Sequence, residues 1–126
     1  MLIKRLLQFN FLVSVIIAGT FILAPEITLA LYGMSGGESL YAITQYFGTT
    51  HLSFAILIWL AFRSKEPQFL RFLVVSFFVG DVAGTVVLLI AQLGGVMNQT
   101  GWGLVGLSFL FAVGYGYGTL KRLPED

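Results

Sequence analysis

The sequence predicts an all-α integral membrane protein, with four transmembrane helices in an up-down-up-down bundle and both termini cytoplasmic. Three observations predict it. Charged residues make up only 10% of the 126 and hydrophobic residues 57%, where an average globular chain has roughly 25% charged residues. The apolar residues run on continuously, without the alternation of barrel strands, in stretches near or above the ~20 residues that cross a bilayer core. All seven Lys and Arg fall at three places along the chain, and an even number of crossings puts those places on one side.

The first apolar run covers residues 6–32 and is preceded by Lys4 and Arg5. Pro25 sits near its far end, where a missing backbone donor bends or ends the helix. Lys4-Arg5, the run itself and Thr28-Leu29-Ala30 resemble a secretory signal with its cleavage site. The run before Pro25 exceeds the roughly 7–15 residues of a signal core, so it is read as a retained helix. The second run covers residues 40–62, the third 69–93 and the fourth 102–120. The connections at 33–38, 63–67 and 94–100 are short, which makes successive helices antiparallel neighbours. A single domain, 1–126, follows.

Orientation rests on the cations. Arg63, Lys65 and Arg71 surround the second connection, and Lys121 and Arg122 follow the fourth run. The first and third connections carry none, so the positive-inside rule places both termini in the cytoplasm. Tyr32, Tyr41 and Trp102 then fall at the outer interface, and Trp59 and Tyr117 near the inner one. Glu26 and Glu38 are read as solvated acids on the outer side. Asn98-Gln99-Thr100 matches a glycosylation sequon on the outer loop.

Composition removes several chemistries. The chain has no cysteine and one histidine, which excludes disulfides, thiolate sites and a haem held by two histidines of one chain. No metal and no cofactor are expected. A net charge of +1 gives no reason to expect a nucleic-acid partner. No Gly-rich phosphate loop follows a strand, and Gly36-Gly37 and Gly94-Gly95 read as turns.

Asp81 is the one acid inside the third run, where insertion of a charge costs about 2.5–3.5 kcal/mol. It lies ten residues past Arg71, about 15 Å along a helix. His51 lies twelve residues before Arg63, about 18 Å by the same rise. The two reach similar depths on helices joined by a short loop, and if their faces match they form a buried pair. Pairing favours the charged forms of both and burial opposes them. Such a pair serves either to fix helix register or as a proton, ion or ligand site.

Small and hydroxyl residues surround this pair. Ser76, Gly80 and Gly84 make a small-xxx-small row on the third helix, with Asp81 and Thr85 in the adjacent row. Thr44, Gly48, His51 and Ala55 share a face of the second, with Thr49, Thr50 and Ser53 nearby. Gly106, Leu110, Gly114 and Gly118 share a face of the fourth. Small residues let membrane helices approach and hydroxyls bond across them. Gly48, Gly80, Gly84, Gly106, Gly114 and Gly118 are therefore expected to pack helices, and Thr44, Ser76 and Thr85 to form a polar seam. Asn10, Ser14 and Ser108 are candidates to join it.

Ala24-Pro25 followed by Leu31-Tyr32-Gly33, then Gln45-Tyr46-Phe47-Gly48, Gly80-Asp81 and a Gly-rich turn before Gly101-Trp102 resemble small four-helix bacterial inner-membrane proteins of the DoxX-like and unassigned kinds. The resemblance implies a multi-pass protein of the bacterial cytoplasmic membrane and carries no catalytic residues with it. Minimal loops confine recognition to the bilayer, which favours a non-enzymatic accessory or scaffold subunit, in a homo-oligomer or a larger membrane complex. The alternatives are a small oligomeric transporter or ion-conducting unit built on Asp81 and His51, and a binder or enzyme for a lipid-soluble ligand.

Overall fold

A computed structural model describes residues 2–121; Arg122, counted above among the inner-side cations, lies outside them. The described residues are helical, without strands: α1 (Leu2–Leu23), α2 (Pro25–Leu31), α3 (Glu38–Arg63), α4 (Pro67–Leu93) and α5 (Gly101–Leu120). Three of them, α1, α4 and α5, are long and apolar enough to cross a membrane. At 26 residues α3 has the length, but Gln45, Thr49, Thr50, His51 and Ser53 make it the more polar helix.

The first apolar run is two helices rather than one. Ala24 leaves helical geometry at φ −140 and ψ 58, because the residue before a proline is pushed out of the α region. Pro25 then opens α2, at the position where its missing N–H costs nothing. The Thr28 hydroxyl covers the break, within bonding distance of the Thr20 carbonyl (3.0 Å) and the Ala24 carbonyl (2.7 Å). Two helices end on glycines with left-handed φ, Gly33 at 70 and Gly95 at 74. In each case the next amide reaches five residues back, Met34 to Leu29 and Val96 to Ala91, both at 3.0 Å. These are Schellman ends, where a side chain at the glycine position is strained.

The long helices form two pairs. α1 lies along α3 and α4 along α5, whereas α3 and α4 touch over only a short stretch. Sequential neighbours were expected throughout, so α3 and α4 are the exception. The pairs join at two places. At the end carrying Lys4, Arg63, Arg71 and Lys121, a core of Leu7, Ile58, Val74, Phe77, Phe111 and Tyr115 draws on all four long helices. At the opposite end, Asn98 donates from its backbone to the Tyr32 carbonyl (2.9 Å) and from its amide to the Leu31 carbonyl (3.1 Å). Away from these contacts much of the surface is apolar, α3 with its exposed Gln45, Thr49 and Ser53 being the more polar part. Val75, Val79, Val82, Val86 and Ile90 make one exposed stripe along α4. A soluble helix reverses this arrangement, and a helix facing lipid requires it.

Candidate functional site

Between the two pairs lies a cavity of about 540 Å³, within the range of roughly 300–1,000 Å³ typical of small-molecule sites. All four long helices line it. α4 contributes Phe69, Phe72, Ser76, Phe77, Gly80, Asp81, Gly84 and Leu88, a single face at three- and four-residue spacing. The space exists because the middle of that face is small. A Cβ added at Gly80 meets nothing within 4 Å.

The expected packing glycines therefore divide. Gly48 is a close approach, since a Cβ there would stand 2.8 Å from Ile22 Cγ1 and 3.3 Å from the Ile22 backbone nitrogen. Gly84 meets the Ser108 hydroxyl at 3.3 Å. Gly114 lies under Leu6, and Gly118 under Ile3 and Val74, so these two seat α5 within its own chain. A Cβ at Gly80 or Gly106 would meet nothing within 4 Å, so neither seats a helix of its own chain.

His51 and Asp81 reach the same cavity from α3 and α4. Among the described residues no hydrogen bond or ion pair joins them, because the helices that carry them stand apart at this depth. The His51 ring lies edge-on between Phe47 (centroids 4.7 Å) and Phe54 (5.3 Å). Its Nδ1 is buried without a hydrogen-bond partner. The Asp81 backbone is held instead: its carbonyl lies 2.6 Å from the Thr85 hydroxyl and 3.1 Å from that of Ser108, which are 3.0 Å from each other. The Ser108 bonds tie α5 to α4 at this level, and the Asp81 side chain lines the cavity.

Of the expected seam, Ser76 lines the cavity and Thr85 supports Asp81. Thr44 does neither. It is buried on the α1 side and donates to the Leu40 carbonyl of its own helix at 2.8 Å. Asn10 and Ser14 do join a polar cluster, with a partner that the sequence reading missed. Asn10 Nδ2 donates to the Tyr115 hydroxyl at 2.7 Å, and the Ser14 hydroxyl donates to Asn10 Oδ1 at 3.0 Å. Depth arithmetic could have found it. Tyr115 stands six residues before Lys121 and Asn10 five after Arg5, which are levels of about 9 and 8 Å.

Seven phenylalanines also line the cavity, 21, 47, 54, 69, 72, 77 and 111. Continuous ring contacts run from Phe21 through Phe47, His51, Phe54 and Phe77 to Tyr115 and Phe111. In the sequence these residues are indistinguishable from lipid-facing ones. Among the described residues no three metal-ligating side chains come together. The site is thus an apolar, aromatic chamber with isolated polar groups contributed by α3 and α4. The chain matches no protein-family model, no curated protein and no solved structure.

Proposed function

We propose that this chain is a non-enzymatic, multi-pass membrane protein that holds one lipid-soluble molecule between its two helix pairs. The observation that carries the reading is the 540 Å³ chamber walled by phenyl rings, with His51 and Asp81 unpaired on opposite sides. Cores are ordinarily filled to crystal-like density, and a void kept open by Gly80 and Ser76 is accounted for by an occupant. In this reading α3 is the fourth crossing. Its hydroxyls support that: Thr44, Thr49 and Ser53 each donate to a carbonyl of their own helix, and Gln45 donates to the Ile22 carbonyl. Polar groups satisfied in this way are compatible with a bilayer. In this reading both termini are cytoplasmic, as the cation distribution suggests, and the resemblance to DoxX-like proteins supports a bacterial cytoplasmic membrane.

The accessory-subunit reading is weaker on this geometry. A small-residue face of the last helix would serve it, but Leu6, Ile3 and Val74 cover Gly114 and Gly118, which leaves only the Gly106 and Leu110 part of that face open. The transporter reading uses the same His51 and Asp81 and needs further copies to enclose a path.

The test is to plug the chamber. Gly80→Leu fills space that a Cβ enters freely. Wild-type protein purified in mild detergent is expected to yield an apolar small molecule on organic extraction and mass spectrometry, about one per chain. Gly80→Leu is expected to melt at the same temperature or higher and to yield none. Equal recovery from both proteins would overturn the reading.

A further inference from the structure

We infer that the cationic end carries a second binding site, a groove between α1 and α3 that takes one anionic glycerophospholipid from the leaflet at that end. The inference rests on the multi-pass membrane reading but not on the chamber, which lies elsewhere.

The groove has a volume of about 160 Å³ and four walls, Gln8 and Phe11 of α1 and Trp59 and Phe62 of α3. Gln8, Trp59 and Phe62 are exposed and Phe11 is half-buried. The groove therefore opens outward, away from the core. Three of its walls are aromatic, and such a surface takes hydrocarbon. In a bilayer the hydrocarbon at hand is an acyl chain.

Charge decides which lipid. Lys4 lies four residues before Gln8, and Arg63 four residues after Trp59. At that spacing each cation shares a helix face with a groove wall, and both stand at the cationic end. The Arg63 guanidinium lies 4.6 Å from the centre of the Trp59 ring, a cation–π contact that holds it against the groove. A guanidinium held in this way offers a fork of N–H donors that fits two phosphate oxygens. Lys4 adds a point charge beside the same groove face of α1. Among the described residues at this end, Lys4, Arg5, Arg63, Lys65, Arg71 and Lys121 stand against one acid, Glu66. Cations left unneutralised by their own chain attract anionic headgroups. The ammonium of a zwitterionic headgroup offsets that attraction.

Depth gives the same order. Four residues of helix are about 6 Å, and the polar layer of one leaflet is about 5–8 Å thick. With the phosphate among the cations, the glycerol esters come near the level of Gln8. The Gln8 amide can donate to an ester carbonyl there. The acyl chain then begins along Phe11, deeper in the bilayer.

The test is competition for the delipidated chain in detergent, read by native mass spectrometry. Phosphatidylglycerol and phosphatidylcholine with identical acyl chains are offered in equal amounts. Wild type is expected to retain one phosphatidylglycerol, preferred on the order of tenfold, the effect of one or two cations at a membrane surface. Lys4→Gln with Arg63→Gln, both at exposed positions, is expected to abolish the preference without lowering the melting temperature. Arg71→Gln with Lys121→Gln removes the same charge from the other helix pair and is expected to preserve it. Equal loss in the two double variants would reduce the effect to diffuse surface charge and overturn the site. Equal retention of the two lipids by wild type would overturn it as well. A phosphatidylglycerol with a diazirine high on one acyl chain reports the location. Labelling is expected within residues 8–11 and 59–62, in wild type and in Gly80→Leu alike. Labelling on α4 and α5 that Gly80→Leu removes would assign the lipid to the chamber and overturn the groove. Failure of the chamber reading alone would leave the groove labelling unchanged.

Discussion

Tyr115 is fully buried, and its hydroxyl accepts from Asn10, which in turn accepts from Ser14. Three polar groups thereby satisfy one another in an apolar interior. Removing one partner leaves a buried donor unmet, which costs about 1–3 kcal/mol, while removing both partners costs less. Tyr115→Phe is therefore expected to lower stability by that amount in a detergent denaturation series, and Asn10→Leu combined with Tyr115→Phe to recover part of it. Additive losses would show that the two side chains act independently. At this scale the sequence was informative about depth and silent about direction. Counting from the flanking cations placed Asp81 and His51 at one level, and both line one cavity. That they line it without bonding to each other depends on helix separation, which no residue spacing encodes.

Among elements, Gly48 and Gly80 belong to similar small-residue rows and behave oppositely. Gly48 sits against Phe21 and Ile22 of α1, and Gly80 opens into the chamber. Adding a methyl at the first forces Ile22 aside, a strain of about 1–3 kcal/mol. Adding one at the second removes glycine's helix penalty, about 1 kcal/mol. Gly48→Ala is expected to lower the melting temperature and Gly80→Ala to hold or raise it. A fall in both would mean that α3 and α4 pack closely after all. The pattern of small residues was legible in sequence, but which partner each meets depends on helix rotation. The break at Ala24-Pro25 was legible too, since proline acts through its own ring and missing donor. The extent of α2 beyond it was not, because it rests on Thr28 and on the Schellman end at Gly33.

At the scale of the molecule, the reading turns on whether α3 crosses the bilayer. Its length is sufficient and its composition marginal, so topology must be measured directly. Ser35→Cys and Ser64→Cys mark the two ends of α3 in an otherwise cysteine-free chain. An impermeant maleimide is expected to label Ser35→Cys from the outer side of sealed vesicles and Ser64→Cys only after they are opened. Labelling of both from one side would reduce the crossings to three and undo the proposed common side of the termini.

The amino-acid sequence alone determined that this chain is helical, apolar on its outside and segmented as it is. Those properties follow from hydropathy, from proline and glycine at the breaks, and from where charge can leave a bilayer, all of them local. Only the tertiary structure decided that the helices pair two and two, that Gly80 borders a void while Gly48 borders a helix, and that seven of the phenylalanines line that void. In a chain whose lipid-facing and inward-facing residues are equally apolar, hydrophobic patterning carries no information about which face packs. Shape complementarity between helices makes that choice, and with it the existence of the site.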